Sequence, residues 1–326
     1  MSITLEEHFL SRAAHSSKVA ADDPIHGFPP SIINKLVDLD DERIANMDEN
    51  NVAIQVLSHT PGNFLSAETV KASNDELAAT VKAKPSRFAG FAAFTMSDPN
   101  AATYELERCI KEHGFVGALI DNHSNGNFYD GREYDILWIK AVELDVPIYI
   151  HPAWPSQKAN EALYSGGNLQ SDKTLATALG AFAFGWHAST ANTILRLMAS
   201  KTFDRHPKLK IIIGHSGELI PYMFDRINKA TGSFSMKRGF VEVMHNNIWI
   251  TTSGMFDVHS LRCLLGNMPL ERVMFSVDYP FSDNKLGKEY FETIRREGIL
   301  NDDEIEAFAS GNAKRLLFHL NNEEKI

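Results

Sequence analysis

Short apolar runs alternate with longer amphipathic stretches along nearly the whole chain. Several of these runs are continuous, such as Ile211-Ile212-Ile213, which is typical of parallel strands covered on both faces. The pattern predicts eight strands, at residues 3–9, 52–59, 88–95, 117–121, 147–151, 210–215, 248–253 and 273–277. Helical spacing of apolar residues predicts helices at residues 40–50, 66–84, 100–113, 133–144, 189–203, 218–229, 258–265 and 285–297, followed by 302–308 and 312–320.

Strands that alternate with helices in this way predict an α/β fold, a closed parallel (β/α)8 or TIM barrel. An open doubly wound sheet that binds a dinucleotide would need a glycine-rich turn after an early strand, and the sequence has none. No repeat, low-complexity tract or linker divides the chain. We therefore expect residues 1–326 to form a single domain.

Composition and charge narrow the class of protein. Hydrophobic residues make up 44% of the chain, and the formal net charge is −10. This charge, without a basic cluster, argues against nucleic-acid binding and against an anionic membrane surface. Cys109 and Cys263 both lie in predicted helices, so no disulfide framework is expected. With no leader-like or membrane-length apolar run, the sequence predicts a soluble cytoplasmic protein.

Polar side chains mark the carboxyl ends of four predicted strands. Glu6 and His8 lie two residues apart near the end of the first strand, so they share one face. His151 ends the fifth strand, His215 ends the sixth, and Asp278 follows the eighth. These strand ends meet at one mouth of a (β/α)8 barrel, where active sites lie. One such residue is as readily explained by a loop hydrogen bond, but five from four strands are poorly explained in that way.

Four of these residues have the chemistry of a metal site. Glu6, His8, His151 and Asp278 offer two nitrogen and two carboxylate ligands, which suit Zn²⁺ or a harder divalent ion such as Mn²⁺. Since no thiolate is among them, the site is expected to keep coordination positions open for water or substrate. We therefore predict a catalytic rather than a structural metal site, with one divalent ion.

Two residues that follow His215 each have two interpretations. Glu218 is predicted to open the next helix, where it either accepts the second ring N–H of His215 or favours the helix N-terminus. Arg226 lies two turns further along the same predicted helix. It is either a residue of a surface ion pair or the anchor of a substrate carboxylate.

Aromatic and further histidine residues are weaker candidates. Trp154 and Phe281 stand close to His151 and Asp278 in the sequence, so they either form an aromatic wall for a planar substrate or pack at the barrel rim. His59 ends the second strand and either lines the pocket or lies beside residues that only shape the loop. The histidines on predicted helices or surface loops are assigned to structure: His187, His206, His245, His259 and His319.

Several motifs, in order along nearly the whole chain, resemble one enzyme family. They are Leu-Glu-Glu-His-Phe at 5–9, Val-Pro-Ile-Tyr-Ile-His-Pro at 146–152, the segment from Phe-Asp-Arg-His-Pro to Gly-His-Ser-Gly-Glu at 203–218, Asn-Ile-Trp-Ile-Thr-Thr-Ser-Gly at 247–254, Phe-Ser-Val-Asp-Tyr-Pro-Phe at 275–281 and Asn-Ala-Lys-Arg-Leu-Leu-Phe at 312–318. The motifs resemble the non-oxidative hydroxybenzoate decarboxylases, such as γ-resorcylate decarboxylase. These belong to the aminocarboxymuconate-semialdehyde decarboxylase branch of the amidohydrolase superfamily.

The resemblance implies a metal-dependent carboxy-lyase that acts on a small aromatic carboxylate. It places the divalent metal, zinc or manganese, on the four residues named above, with His215 and Glu218 as a supporting acid–base pair and Arg226 near the substrate. His8 resembles the γ-resorcylate type, because dihydroxybenzoate-type members often carry Ala there. Relatives also suggest a homo-oligomer, a dimer or tetramer. The chain departs from them at Ala153-Trp154, where a polar pair is common, and at Thr193, where His is common.

The predicted reaction is loss of carbon dioxide from an ortho-hydroxybenzoate. Protonated Asp278 would deliver a proton to the ring carbon that bears the carboxyl group, and His215 with Glu218 would resupply it. The alternative is a metal-dependent hydrolase of an amide, lactone or enol-lactone, with Asp278 as general base and Arg226 holding a substrate anion. A barrel kept only as a binding scaffold is a third interpretation.

Overall fold

Eight parallel strands form one sheet whose spatial order follows the chain, from β1 to β8. The computed structural model describes residues 1–17, 24–61, 65–165 and 173–318. Consecutive strands pair in parallel from β1–β2 through β7–β8 and are connected by helices. This is the (β/α)8 barrel that the alternation of strands and helices predicts, so the predicted fold class is confirmed.

The strands are short and the helices vary widely in length. The strands are β1 Ser2–Phe9, β2 Val52–His59, β3 Phe88–Ala92, β4 Gly117–Asp121, β5 Ile148–His151, β6 Ile211–Ile213, β7 Ile248–Thr251 and β8 Val273–Met274. The helices are α1 Arg12–His15, α2 Pro30–Val37, α3 Asp41–Glu49, α4 Ala67–Ala83, α5 Pro99–His113, α6 Asp135–Glu143, α7 Gln157–Ala159, α8 Lys173–Gly180, α9 Gly185–Ala199, α10 Thr202–Arg205, α11 Phe224–Thr231, α12 Phe240–Asn247, α13 Val258–Leu265, α14 Asn284–Arg296, α15 Asp302–Glu306 and α16 Asn312–Leu317.

Shorter helical turns lie between these elements. The 3-10 turns are Pro24–Gly27, Arg132–Tyr134, His215–Gly217, Gly232–Phe234 and Leu270–Arg272, and the π-helical turns are Asn160–Tyr164 and Ala307–Gly311. Among the residues that the structure describes, no helix combines the length and the apolar character needed to cross a membrane.

Alternation along the strands divides the apolar core into two layers. In β5, Ile148 and Ile150 pack in the large layer between sheet and helices, while Tyr149 belongs to a smaller cluster inside the barrel. Ile212 of β6 and Met274 of β8 join Tyr149 in that inner cluster. Because side chains alternate across a strand, the next inward position after Tyr149 is His151, which reaches the mouth.

Polar side chains fix the first turns of several helices that surround the sheet. The side chains of Ser66, Asp98, Asp257 and Asp283 accept backbone N–H bonds at the starts of α4, α5, α13 and α14. Such N-caps satisfy donors that have no partner within the helix. They explain why these helices begin close to the predicted positions.

Strand β1 contains an irregularity that strict alternation does not predict. Its pairing with β2 shifts register between Thr4 and Glu7, and the N–H groups of Leu5 and Glu6 both donate to Ser276 Oγ, each at 2.9 Å. Two successive amides on one acceptor indicate a β-bulge. As a result Leu5 packs inside the barrel, and Glu6, the next residue, also faces its interior.

Several predicted element boundaries were wrong. The helix predicted at 218–229 begins only at Phe224, because residues 215, 216, 218 and 219 adopt positive φ angles that a helix cannot contain. The helix predicted at 189–203 begins earlier, at Gly185, and ends at Ala199. The strands predicted to end at residues 95, 215, 253 and 277 end two or three residues sooner. The last part of the helix predicted at 312–320 lies outside the described residues.

Candidate active site

Four side chains from three distant parts of the sequence meet at the carboxyl ends of the strands. Suitable ligand atoms of Glu6, His8, His151 and Asp278 all lie within 4.8 Å of one another. Glu6 Oε1 is 3.0 Å from His151 Nε2, and His8 Nε2 is 3.3 Å from Asp278 Oδ1. The structure thus brings together the four residues that the sequence nominates as metal ligands. We call them the ligand quartet.

The atoms that face the centre of the ligand quartet have no other partner. Glu6 Oε1, His8 Nε2 and Asp278 Oδ1 are buried without a hydrogen-bond partner among the described residues. His151 Nδ1 donates to the carbonyl of Pro152 at 2.7 Å, so in the neutral ring Nε2 carries the lone pair. Because burying polar atoms without a partner is costly, these atoms fit a divalent cation held by two carboxylates and two imidazoles.

Glu6 is held and charged in a way that suits a ligand. Tyr149 donates its hydroxyl to Glu6 Oε2 and also contacts Thr251 Oγ1 at 2.6 Å, which leaves Glu6 Oε1 directed at the centre. Burial alone would raise the pKa of the Glu6 carboxyl, but the charges of His215, His151 and His8 lower this pKa below its ordinary value. Glu6 is therefore ionised. Sequence reasoning missed Tyr149, although it stands two residues before His151 on the same strand face.

A second hydrogen-bonded group lies beside the ligand quartet. His215 Nδ1 bonds to Glu218 Oε1 at 2.8 Å, and His187 Nδ1 bonds to Glu218 Oε2 at 2.7 Å. One buried carboxylate therefore bridges two imidazoles, and His187 Nε2 bonds onward to the carbonyl of Phe182 at 3.1 Å. We call His187, Glu218 and His215 the His–Glu–His chain. The sequence predicts only a structural role for His187, because no sequence pattern places a residue of α9 beside the end of β6.

The backbone around Glu218 excludes one of its two interpretations. Glu218 has φ +54° and follows a 3-10 turn, while α11 begins only at Phe224. The expectation that Glu218 opens a helix was therefore wrong, and so was the helix N-terminus as the reason for its charge. The contact with His215 is present instead.

The His–Glu–His chain reaches the ligand quartet through His215. His215 Nε2 lies 3.7 Å from Glu6 Oε1 and 3.8 Å from Asp278 Oδ2. Burial would lower the pKa of His215, but the carboxylates of Glu218, Glu6 and Asp278 raise it well above its ordinary value. Burial likewise opposes ionisation of Glu218, yet His215 and His187 lower the pKa of its carboxyl. These carboxylates thus favour the protonated form of His215, whose imidazole is placed close to Asp278.

A cavity of about 430 Å³ opens above these residues. Its polar base is formed by His151, His187, His215 and Asp278. Trp154 and Phe281 both line the cavity, where the sequence predicts an aromatic wall. The rest of the wall is largely apolar and comprises Ile25, Phe28, Ile32, Pro61, Phe182, Trp186 and Met255. A second concavity of about 580 Å³, near Met1 and Lys288, contains none of the site residues.

Two predicted substrate-binding residues lie away from this cavity. His59 is buried beside the wall, donates Nδ1–H to the carbonyl of Thr60 at 2.9 Å and accepts the Ser11 N–H on Nε2 at 3.2 Å. Burial lowers the pKa of His59 to about 4, so the ring is neutral. Arg226 is exposed on α11, and neither residue is among those that line the cavity. The geometry gives their predicted contacts with substrate no support.

Comparison with known proteins places this geometry in context. The amidohydrolase family model Amidohydro_2 matches residues 19–318. The decarboxylase orsB of Emericella nidulans is 42% identical, with 99% of this chain and 98% of that protein covered. A γ-resorcylate decarboxylase of Polaromonas sp. is 36% identical, with 98% of each chain covered.

Solved structures agree with the sequence comparison. The dihydroxybenzoic acid decarboxylase of Polaromonas sp. JS666, solved with bound manganese and the inhibitor 2-nitroresorcinol, superposes with a TM-score of 0.84 at 32% identity, covering 98% of this chain and 97% of that one. A 2,6-dihydroxybenzoate decarboxylase complexed with 2,6-dihydroxybenzoate also has a TM-score of 0.84, at 30% identity, covering 97% and 98% of the two chains.

Proposed function

The chain belongs to the amidohydrolase family, and from this membership we propose that it is a metal-dependent, non-oxidative decarboxylase of an ortho-hydroxybenzoate. The observation that carries the proposal is the ligand quartet, with its unpartnered atoms aimed at one centre below an apolar cavity. Relatives at 42% and 36% identity over nearly the full length are named decarboxylases, which favours this chemistry over hydrolysis on the same barrel.

One divalent metal ion is the cofactor in this proposal, held by Glu6, His8, His151 and Asp278. The manganese in the Polaromonas structure supports Mn²⁺, and nitrogen and carboxylate ligands without thiolate also suit Zn²⁺. When bound, the divalent ion supplies positive charge that neutralises the substrate carboxylate and favours ionisation of the ortho hydroxyl group.

Residues of the protein then transfer one proton to the substrate. An ionised ortho hydroxyl group raises the electron density on the ring carbon that bears the carboxylate. Asp278, in its protonated form, transfers a proton to that carbon. The bond from the ring to the carboxylate then breaks, its electron pair restores the aromatic ring, and carbon dioxide leaves. His215 stands close enough to Asp278 Oδ2, at 3.8 Å from Nε2, to resupply the proton with modest movement.

The His–Glu–His chain supports the role of His215 in this step. Glu218 accepts from both imidazoles, so it fixes the orientation of the His215 ring and favours its charged form. After His215 has given up a proton, Glu218 and His187 offer a hydrogen-bonded route back toward the cavity, which His187 also lines.

The cavity restricts the substrate to one anionic group. Its described lining includes no lysine or arginine, so a second carboxylate would lie in an apolar wall without a counter-ion. The aromatic side chains of Trp154 and Phe281 in the cavity wall suit a substrate with a single aromatic ring. The proposed substrate is therefore a monocarboxylic hydroxybenzoate whose carboxylate and ortho hydroxyl group face the ligand quartet.

The proposal is tested with a panel of substrates. Metal-depleted protein is reconstituted with MnCl₂ or ZnCl₂ and incubated with 2-hydroxybenzoate, 2,6-dihydroxybenzoate and, as a control without an ortho hydroxyl group, 3-hydroxybenzoate. We expect carbon dioxide and the matching phenol in equal amounts from the ortho-hydroxylated acids only. Hydrolysis of an ester or lactone panel, with no carbon dioxide from any benzoate, would overturn the decarboxylase in favour of the hydrolase.

The cellular setting is part of the same proposal. We place the enzyme in the cytoplasm, as a homo-oligomer with no nucleic-acid partner. Its net charge of −10 supports the last point, because like charges repel a polyanion. Size-exclusion chromatography with light scattering measures the oligomeric state.

A further inference from the structure

The sheet lacks a regular ladder at the one place where its first and last strands meet. β8 ends at Met274, four residues before Asp278, and no β8–β1 ladder occurs among the described residues. The backbone-to-backbone contacts across this boundary are an isolated parallel bridge between Glu7 and Tyr279 and the bond from His8 N–H to the carbonyl of Tyr279 at 2.7 Å. We call this boundary the β1/β8 seam. Asp278 belongs to it.

The side chain of Glu7 supplies most of the remaining bonds at the seam. Glu7 is fully buried on the face of β1 opposite to Glu6 and His8. Its Oε1 accepts from Ser276 Oγ at 2.9 Å and from the Val277 N–H at 3.1 Å. Its Oε2 accepts from the Tyr279 N–H at 3.1 Å and from Gln55 Nε2 at 3.4 Å. One carboxylate therefore holds the backbone amides on both sides of Asp278.

The backbone of Asp278 needs such support. Its φ is +71°, a left-handed conformation that is uncommon for residues other than glycine and persists only where the surroundings hold it. This turn makes the amides of residues 277 and 279 converge on the same acceptor. It also sends the Asp278 side chain to the opposite side, into the ligand quartet.

We propose that Glu7 is a positioning residue: its carboxylate fixes the left-handed turn at Asp278 and so places the Asp278 carboxylate in the metal site. The inference rests on the proposed metal site and adds a residue that the proton-transfer scheme does not use. Both oxygens of Glu7 are needed as acceptors, because all four contacts come from donors. An amide would turn its NH₂ group toward one of the two backbone N–H groups.

Neighbouring residues extend the network of polar contacts around Glu7. Arg43 is also fully buried, donates Nη2–H to the carbonyl of His8 at 2.8 Å and Nη1–H to Gln55 Oε1 at 3.3 Å. Its guanidinium brings a positive charge into the same network as Glu7, with Gln55 in contact with both. The network thus links α3, β1 and β2 to the turn at Asp278.

The test measures Mn²⁺ affinity, from the electron paramagnetic resonance signal of free Mn²⁺, together with kcat, KM and Tm. Glu7→Gln keeps the shape of the side chain, whereas Glu7→Asp keeps the carboxyl group but shortens the reach to the two amides. Asn312→Ala is the matched control. Asn312 is buried and donates to the carbonyls of Leu270 and Val273, each at 2.7 Å, where β8 begins.

We expect both Glu7 variants to weaken Mn²⁺ binding by about 10- to 100-fold and to lower kcat more than they change KM. Asn312→Ala should lower Tm yet leave Mn²⁺ affinity close to that of the wild type. If the folded Glu7 variants bind Mn²⁺ as the wild type does, or if Asn312→Ala weakens binding as much at equal loss of Tm, Glu7 is merely structural and the inference fails. Absence of Mn²⁺ binding in the wild type would instead overturn the metal site itself.

Discussion

Asp278 has two carboxylate oxygens in different surroundings. Oδ1 faces His8 Nε2 at 3.3 Å and has no hydrogen-bond partner, while Oδ2 faces His215 Nε2 at 3.8 Å. One oxygen is thus directed at the ligand quartet and the other at the imidazole of His215. A single side chain can serve both as metal ligand and as the carrier of the transferred proton.

Replacing Asp278 with Asn separates these two roles. The amide keeps an oxygen for the metal and nearly the same shape, but it has no acidic proton to transfer. We expect kcat to fall by about 10²- to 10⁴-fold for Asp278→Asn. Metal content, measured by mass spectrometry on the same samples, should stay close to wild type and so exclude loss of the ion as the cause. Turnover near the wild-type value would remove Asp278 from the proton transfer.

The lowered pKa of His59 predicts how the free energy of unfolding depends on pH. Burial gives its imidazole a pKa of about 4 in the folded protein, below the ordinary value of 6.5, so the unfolded chain binds the proton more tightly. The stability contributed by the neutral ring is therefore complete above pH 6.5 and is lost as pH falls toward 4. This loss is about 2 kcal/mol between pH 7.5 and pH 5.

Urea unfolding at these two pH values measures the effect. The difference in free energy of unfolding between wild type and His59→Gln should shrink by about 2 kcal/mol at the lower pH, because the variant has no imidazole to charge. His259→Gln, at an exposed position of α13, controls for loss of a histidine as such. A difference between wild type and His59→Gln that does not change with pH contradicts the prediction.

At the scale of single residues, the sequence predicts those positions that follow from a general rule of the fold. The ligand quartet was predictable because parallel strands of a barrel end at one mouth. Tyr149 and His187 were not, because their contacts with Glu6 and Glu218 depend on how distant segments pack. Only the two-residue spacing of Tyr149 and His151 was a usable signal.

Among the elements, helix α9 shows how one added turn changes the site. Its predicted start was residue 189, but the helix begins at Gly185, which brings His187 into a regular turn facing Glu218. A Cβ atom on Gly185 would lie 2.3 Å from the carbonyl oxygen of Gly180 and 2.7 Å from Tyr164 Cζ. Only glycine permits this close approach of α8 and α9.

Gly185→Ala should therefore disturb both stability and catalysis. We expect a loss of about 1–3 kcal/mol from the forced shift of α9, together with a lower kcat as His187 moves away from Glu218. Calorimetric Tm and steady-state kinetics measure the two effects. Gly232→Ala is the matched control, because its Cβ would meet no atom within 4 Å. An equal response of the two variants would show that the α8–α9 contact does not position His187.

The elements were predicted well where apolar runs are continuous and poorly where they break. β2 and β4 have the predicted bounds, whereas the strand predicted at 273–277 ends at Met274. Ser276 and Val277 do not continue the ladder, because they donate hydrogen bonds to the side chain of Glu7. The segment after β6 does not form the predicted α-helix, because it contains a run of positive φ angles. These angles place His215 and Glu218 in the site.

At the scale of the whole molecule, the ligand quartet joins the first, fifth and last strands. Bound metal therefore connects segments that the chain separates by more than 100 residues, and it binds the folded state only. Such binding adds about 2.7 kcal/mol to stability at a ligand concentration 100 times the Kd. We expect Tm to fall by a few degrees when Mn²⁺ is removed with a chelator.

Scanning calorimetry of metal-loaded and chelator-treated protein checks this expectation. Asp278→Ala lacks one ligand, so its Tm should respond much less to the chelator than that of the wild type. A wild-type Tm that is the same with and without Mn²⁺ would contradict the proposed role of the ligand quartet.

The barrel as a whole was predictable because alternation of elements is encoded locally in each segment. The contacts that close the barrel were not, since they depend on a β-bulge in β1 and on bonds of Glu7 and Ser276 between residues about 270 positions apart. Neither feature has a periodic signature in the sequence.

The β1/β8 seam also sets the order of events during synthesis on the ribosome. Glu7 is made about 270 residues before its partners Ser276, Val277 and Tyr279. Until then the nascent protein has an open edge at β1 and an incomplete set of ligands. A complete metal site therefore cannot form before Asp278 has been translated, and until then the unpaired edge of β1 is exposed to pairing with other chains.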